Sequence, residues 1–353
     1  MSFEILRSEV SRGMEGKNSG IPMGFNRMNQ YIGIRRRLMF LLIGSPGSGK
    51  SAFLHHCFIL SPFDWYFDTK PKFKFKVILF SMERSKVYTL AKWMSRKIFV
   101  DQGILIPIAK LLGWWDVKMT KDEHDLFLAY KWYIDELLQV VDIIEGAQNP
   151  TGVRKYVKNY AEQNGKVEQI DEYHKIYLPN DPDEIVIIGE DHLGLGKLEK
   201  GLTSKKEVID KISEDNQYYR DFYGYIPVPV MQRGRSLNNP AFLKMDSFEP
   251  TLEDAKESGN PGEAADCVIS VFDPKRLRTT DPNYDVDKFI DGSNGSNYFR
   301  STKILKNTYG QDQLRFGTAF MGVTGMFAEL PKSKDMERFE YESLFNHTFF
   351  LKQ

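Results

Sequence analysis

Cysteine is scarce in this chain of 353 residues, which contains only Cys57 and Cys267, both in apolar surroundings. The pair predicts small core residues in a reduced compartment and excludes a disulfide framework. The six histidines form no spaced cluster with the cysteines, which excludes a zinc motif. No run approaches the roughly 18 apolar residues of a membrane span, and the N-terminus has no apolar signal core. We therefore expect a soluble, cytoplasmic protein.

Net charge is also lacking, because 48 lysines and arginines balance 48 aspartates and glutamates. Global charge thus neither favours nor excludes nucleic acid as a partner, and a neutral protein can still carry a local basic channel. An apolar content of 41% supports a sizeable core. The length is enough for one large α/β domain or two ordinary ones.

The stretch "LLIGSPGSGKSAF" (41–53) has the pattern of an apolar strand, a glycine-rich loop and the start of a helix. Its loop fits G-x-x-x-x-G-K-[ST], in which backbone N–H groups and a helix N-terminus bind phosphate. We expect Lys50 to reach the β- and γ-phosphates of ATP, and Ser51 to hold Mg²⁺. The predicted nucleotide-binding residues are Gly44, Ser45, Pro46, Gly47, Ser48, Gly49, Lys50 and Ser51.

Short apolar runs predict further strands, and helical patterns separate the earlier ones. The runs are "LMFLLI" (38–43), "KVILFS" (76–81), "EIVIIG" (184–189), "CVISVF" (267–272), "TKILKN" (302–307) and "LRFGTAF" (314–320). Such alternation predicts a mostly parallel sheet covered on both faces, and the closely spaced later runs predict an antiparallel extension. "IPVPVM" (226–231) should pair only in part, because its two prolines cannot donate ladder hydrogen bonds. Residues 100–180 are predicted to be mostly helical, and 273–300 to be a long exposed loop.

Three acids follow two of these strands: Glu83 after the second run, and Glu190 and Asp191 after the third. Ligands of open α/β sheets bind at the carboxyl ends of the strands, which is also where the glycine-rich loop lies. ATP hydrolysis needs an acidic group near the metal and a residue that activates or orients water. The acids are therefore candidates for both roles.

An ordered set of segments then resembles a known family. "GIPMGF", "GSPGSGKSAF", "FSMERS", "EDHLGL", "QRGRSL" and "LEDAKESGNPGEAAD" occur in the order found in the ATPase core of DnaB-type hexameric replicative helicases. The resemblance spans about residues 3–330 and implies a RecA-like P-loop NTPase fold. It also implies a linker or docking helix and hinge (1–20), an ATPase core (21–330) and a C-terminal tail (331–353).

The same resemblance implies roles for individual residues. Glu83 resembles the catalytic glutamate that orients the attacking water, and Asp191 resembles the Walker B aspartate beside Mg²⁺. Asp191 is preferred to Glu190 because "HLGL" after it fits the family's Y-L-Q-L. Gln232 resembles the glutamine that senses the γ-phosphate.

Further residues are implied to act between subunits or on DNA. Lys256, Glu257 and Gly259 resemble the loop that lines the central pore and holds single-stranded DNA. Lys306 resembles the lysine of a K-x-R element that reaches into the neighbouring subunit's ATP site. The arginine of that element is replaced by Thr308.

The missing arginine finger leaves two alternatives open: another arginine substitutes, with Arg300 and Arg315 the nearest candidates, or hydrolysis is slow. The family also begins with a separate helical domain, whereas this chain starts at the linker. Docking of a loader or primase through that domain is therefore not implied, although either remains a possible partner.

Two smaller features complete the expectations. Apolar side chains form one stripe on a predicted N-terminal helix, either a frayed end or an arm that docks on a neighbouring copy; they are Phe3, Leu6, Val10 and Met14. Three tryptophans are expected in the core rather than as platforms for stacking bases: Trp114, Trp115 and Trp132.

The resulting hypothesis is an ATP-driven ring, a hexamer in the family, that moves along single-stranded DNA and unwinds duplex DNA at the replication fork. Two alternatives stay open. One is a RecA-like DNA-dependent ATPase that does not unwind, and the other is a degenerate nucleotide-binding ring subunit.

Overall fold

The structure is a computed structural model that describes residues 2–232, 249–256 and 261–351. The strands within these ranges are β1 (Phe40–Gly44), β2 (Phe75–Ser81), β3 (Val141–Glu145), β4 (Gly165–Gln169), β5 (Lys175–Pro179), β6 (Ile185–Asp191), β7 (Ile226–Gln232), β8 (Cys267–Phe272), β9 (Phe299–Asn307), β10 (Leu314–Met321) and β11 (Met326–Glu329). The helices are α1 (Ser2–Met14), α2 (Lys50–His55), α3 (Ser61–Thr69), α4 (Lys86–Gln102), α5 (Ile108–Leu111), α6 (Lys121–Ala129), α7 (Lys131–Val140), α8 (Pro150–Asn164), α9 (Lys205–Tyr218), α10 (Leu252–Lys256), α11 (Pro261–Ala264) and α12 (Arg338–Phe345). A π-helical segment, His56–Leu60, joins α2 to α3.

One nine-stranded sheet organises the described part of the chain, in the order β11-β10-β9-β8-β1-β7-β6-β2-β3. The six strands from β8 to β3 pair in parallel, and β9, β10 and β11 continue the sheet antiparallel. All residues of β1, β6 and β8 are buried, as expected for strands covered on both faces. The predicted fold class is confirmed.

The proline-containing strand β7 lies in the middle of this sheet, between β1 and β6. Its first half pairs with β6, from Ile226 opposite Ile187 to Pro229 opposite Glu190. Its last three residues pair with β1, from Val230 opposite Leu42 onwards. Each neighbour is thus paired with only part of β7, which agrees with the limit that prolines place on a ladder.

Residues 100–180 are mainly helical, as predicted, but this range also holds three strands that were not predicted: β3 and a separate hairpin of β4 and β5. β3 follows α7 directly, so the apolar pattern of the helix continues into the strand without a turn signal. Apart from the buried Tyr177, the hairpin residues are exposed or half-buried, so the hairpin lacks the alternating buried pattern that identifies a strand.

The segment 273–300 is irregular but is not the exposed loop that its composition predicts. Tyr284, Phe289 and Tyr298 are buried in a cluster with Phe349 and Phe350 of the C-terminal tail. Aspartates satisfy the backbone here: Asp281 accepts N–H bonds from the two residues Asn283 and Tyr284, and Asp291 accepts one from Ser293. The aspartates that suggested solvent thus stabilise turns, as side chains of this type commonly do.

The expectation of core positions is wrong for all three tryptophans. Trp115 is 82% exposed, Trp132 is 42% exposed and Trp114 is 40% exposed. Trp132 is partly covered by Phe67 and Tyr133. The N-terminal helix α1 also carries an uncovered stripe, with Phe3, Leu6, Val10 and Met14 between 54% and 86% exposed. No helix in the described ranges is long and apolar enough to cross a membrane.

Gly44, the last residue of β1, supports a prediction about stability. A Cβ added there would lie 2.3 Å from the backbone oxygen of Val271 on β8. The neighbouring strand cannot move without breaking its own ladder, so we expect Gly44→Ala to lower the free energy of unfolding by about 1–3 kcal/mol.

Gly292→Ala is the matched control, because nothing lies within 4 Å of its added Cβ. Urea denaturation should place this control within about 0.5 kcal/mol of the unsubstituted protein. Equal stability of the two variants would contradict the close packing of β1 on β8.

Candidate nucleotide-binding site

Four parallel strands end at one edge of the sheet. Three of them end on a candidate residue, and the fourth, β2, ends two residues before the candidate Glu83. Gly44 at the end of β1 is in register with Gln232 at the end of β7. Ser81 at the end of β2 is in register with Asp191 at the end of β6. A cleft of about 500 Å³ lies at this edge, which is where open α/β sheets bind ligands.

The glycine-rich loop forms one wall of the cleft. Gly47 and Gly49 have φ of +72° and +100°, a region that disfavours other residues, so the motif's glycines are needed for the turn into α2. Lys50 begins α2, and its Nζ donates a 2.8 Å hydrogen bond to the Ser45 carbonyl. The loop therefore has the strand–loop–helix setting that the phosphate-binding motif requires.

Ser51 and Asp191 meet on the same side of the cleft. The Ser51 hydroxyl donates to Asp191 Oδ1 at 2.6 Å, while Asp191 Oδ2 is buried and has no hydrogen-bond partner in the described ranges. Burial raises the pKa of the Asp191 carboxyl. A hydroxyl beside a carboxylate oxygen with spare acceptor capacity fits Mg²⁺, which takes few protein ligands and completes its shell with water and phosphate. Among the described residues, no group of three or more His, Cys, Asp or Glu side chains is placed to hold a metal ion.

Glu190 faces the opposite side of the sheet from Asp191, since successive strand side chains alternate. It is fully buried and accepts a 2.7 Å hydrogen bond from Asn216 on α9. Burial raises its pKa to about 8. The preference for Asp191 over Glu190 as the residue facing ATP is therefore consistent with the geometry.

The other cleft residues include Glu83 and Gln232, as well as His192, which the sequence interpretation missed. His192 Nε2 lies 3.1 Å from Gln232 Oε1, and its backbone has φ of +79°. His192 thus connects the strand end that carries Asp191 to Gln232. Its position directly after the acidic pair in "EDH" was the only sequence signal.

The cleft also holds two lysines whose charge is poorly compensated. Burial lowers the pKa of Lys50 to about 8, although Asp191 and Glu83 oppose this shift. Burial also lowers the pKa of Lys92, on α4, to about 8, and the nearby Arg84 adds to the shift. Lys92 was missed because a single lysine on a partly apolar helix gives no motif. Both ammonium groups would gain a partner from a bound phosphate.

The remaining predicted residues lie elsewhere. Lys306, on β9, donates to the Glu263 carbonyl at 3.0 Å and does not line the cleft of its own chain. Lys256 ends α10, and its side chain lies outside what the structure describes, as do residues Glu257 and Gly259. The pore assignment of these three stays a prediction.

Both candidates for the missing finger make contacts within their own chain. Arg315 forms ion pairs with Asp281, at 3.2 Å, and with Glu249. Arg300 is buried behind the phosphate loop, where its Nε donates to the Ser48 carbonyl at 2.9 Å.

No family model matches the chain, and no curated protein matches it either. Solved structures do resemble it. One is a DnaB-like replicative helicase described with its interactions with primase, at 18% identity, with a TM-score of 0.64 over 92% of this chain and 67% of that one. Another is described as an ATPase domain, at 19% identity, with a TM-score of 0.64 over 94% of this chain and 98% of that one. The fold is therefore that of the ATPase core of DnaB-type replicative helicases, and the resemblance seen in the sequence is confirmed at this level.

The two lysines predict proton uptake on nucleotide binding. An adjacent phosphate stabilises the ammonium form and raises the pKa of Lys50 and Lys92 from about 8, so the complex binds more protons than the free protein at about pH 8–9. ATP affinity should consequently fall as the pH rises through this window. Calorimetry in two buffers of different ionisation enthalpy measures the uptake.

Lys92→Met should bind ATP with less proton uptake, whereas Lys97→Met is the matched control on the same helix. Lys97 pairs with Asp101 and does not line the cleft, so its removal should change nothing. ATP binding without proton uptake at about pH 8–9 would contradict the placement of both lysines beside phosphate.

Proposed function

We propose that this chain is the ATPase of a ring-shaped motor that moves along single-stranded DNA and unwinds duplex DNA during replication. The observation that carries the proposal is the convergence of Lys50, Ser51, Glu83, Asp191 and Gln232 on one cleft. Glu83, Asp191 and Gln232 lie at or just after the ends of three strands, and Lys50 and Ser51 begin α2. The chain has the fold of a DnaB-type helicase core.

Within the cleft, each of these residues would have a separate role in ATP hydrolysis. Lys50 and the loop N–H groups bind the phosphates, and Glu83, whose side chain is exposed to the cleft, orients the attacking water. Ser51 and Asp191 hold Mg²⁺, which would neutralise charge on the β- and γ-phosphates. Gln232 contacts His192 and is the last residue of β7. Contact between Gln232 and the γ-phosphate would therefore affect the position of the segment that follows β7.

Assembly into a ring, of six copies as in the family, rests on two further features. The exposed stripe of α1 is an apolar face that needs a partner to cover it, and a second copy of this chain is the partner we propose. Lys306, which lies outside its own cleft, would then reach the ATP site of the neighbouring copy. Lys256, Glu257 and Gly259 would line the pore and contact the DNA backbone.

A second candidate function is a ring subunit that binds nucleotide but hydrolyses it slowly. The observation favouring it is that Thr308 replaces the finger arginine while Arg300 and Arg315 are held within their own chain. An ATPase assay with and without single-stranded DNA, followed by a fork-unwinding assay, separates the candidates. Unwinding supports the motor, DNA-stimulated hydrolysis without unwinding supports a non-unwinding ATPase, and nucleotide binding alone supports the slow subunit.

Glu83→Gln should keep ATP binding and lower turnover by about 10²–10⁴-fold, because an amide retains the shape but cannot accept the proton from water.

Lys50→Ala should abolish hydrolysis, because the phosphates lose their cationic partner. Steady-state phosphate release and binding of a fluorescent nucleotide measure the two effects. Glu172→Gln, an exposed glutamate outside the cleft, is the control. Unchanged turnover in Lys50→Ala would refute the site.

Lys256→Ala should weaken binding to single strands of every sequence by a similar factor, because phosphate contacts carry no base information. Each lost contact should reduce the salt slope of the binding constant by about 0.7, with a larger change when several copies of the ring lose it together. Lys158→Ala, on the exposed face of α8, serves as the control. An unchanged affinity and slope would remove the pore assignment.

A further inference from the structure

A guanidinium from the same chain lies against the tip of the phosphate loop. A Cβ added to Gly47 would lie only 1.8 Å from Arg276 Nη1, so the Arg276 side chain packs directly on the loop backbone. Arg276 belongs to the segment after β8, outside every motif recognised in the sequence. The positive charge of Arg276 also helps to lower the pKa of Lys50.

The segment that carries Arg276 is fixed to the phosphate loop. Asp273 accepts a hydrogen bond from the backbone N–H of Arg276 at 3.2 Å and pairs with Arg300 Nη2 at 3.3 Å. Arg300 in turn donates through Nε to the Ser48 carbonyl at 2.9 Å. Asp273 and Arg300 are both buried, so this connection joins the backbone of Arg276 to the loop through the protein interior.

The guanidinium of Arg276 has no hydrogen-bond or ion-pair partner among the described residues. Its side chain is exposed, and among the described residues no carboxylate or carbonyl pairs with it. Arg300, by contrast, donates to three carbonyls and pairs with Asp273, and Arg315 pairs with two acids. Of these three arginines, only Arg276 combines contact with the phosphate loop and free donors.

We propose that Arg276 supplies a positive charge to the ATP site of its own chain. This charge would replace that of the finger arginine, which a neighbouring subunit would otherwise supply and which Thr308 replaces. This inference rests on the proposed function, and it assigns Arg276 to the phosphates of the ATP bound by its own chain. Water adds to the γ-phosphorus and gives up a proton to Glu83, while the bond to the β–γ bridging oxygen breaks and ADP leaves with the electron pair. Arg276 stabilises the negative charge that develops on the phosphate oxygens during this step.

Substitution of Arg276 tests the proposal through kcat and KM separately. Arg276→Ala should lower kcat by about 10²–10³-fold with a KM changed only a few-fold, because a contact made to developing charge acts on the transition state. Arg276→Lys should recover part of kcat, since a lysine keeps the charge but not the planar fork. Arg278→Ala, two residues away and without contact to the loop, is the matched control and should keep full activity.

Mixed assemblies distinguish action within a chain from action on a neighbour. Arg276→Ala is co-expressed with Lys50→Ala, so that both variants enter the same particles. If Arg276 acts in cis, each chain has a defective site and the mixture is as inactive as either variant alone. Activity recovered in the mixture would show that Arg276 serves the neighbouring site and would overturn the proposal.

The Arg276→Ala and Lys50→Ala variants distinguish a failure of the role of Arg276 from a failure of the proposed nucleotide site. Wild-type kcat in Arg276→Ala, with Lys50→Ala inactive, refutes the role of Arg276 and leaves the nucleotide site standing. Hydrolysis retained in Lys50→Ala refutes the site itself. A thermal melt of Arg276→Ala confirms that a fall in kcat does not arise from unfolding, which is not expected for an exposed side chain.

Discussion

The candidate site depends on the common register of the parallel strands. Because β1, β2, β6 and β7 end at one edge, Gly44, Ser81, Asp191 and Gln232 are brought together without long loops. The close approach of Gly44 to Val271 on β8 fixes where the phosphate loop leaves the sheet. The hydrogen bond from Ser51 to Asp191 then connects that loop to β6. A shift of one strand by one residue would turn Asp191 away and present Glu190 instead.

The segment between β8 and β9 contacts the phosphate loop. It supplies Asp273 and Arg276, and Arg300 at the start of β9 connects Asp273 to the Ser48 carbonyl. Thr308, where the sequence departs from the family pattern, follows β9 directly. Burial of the segment's aromatic residues against the C-terminal tail holds the segment in place. Under the proposal for Arg276, this segment would supply in cis the positive charge that Thr308 does not supply to a neighbouring site.

Sequence reasoning found the features that short motifs encode. The phosphate loop, the strand ends at Glu83 and Asp191 and the parallel sheet follow from local patterns of glycine, apolar runs and acids. It failed where tertiary packing decides. The aspartates of 273–300 suggested solvent, although they accept backbone hydrogen bonds under buried tyrosines. Lys92 lines the cleft from α4, and Arg276 contacts the phosphate loop at Gly47 from the segment after β8. A single sequence holds no signal for such contacts between distant segments.

The most direct test of the account is particle imaging in the presence of single-stranded DNA and a non-hydrolysable ATP analogue. We predict a closed or lock-washer ring, with nucleotide phosphates at Lys50 and Ser51 of each copy and α1 packed on an adjacent copy. DNA should pass through the centre, next to Lys256. Monomeric particles, or nucleotide bound away from the cleft between β1 and β6, would contradict it.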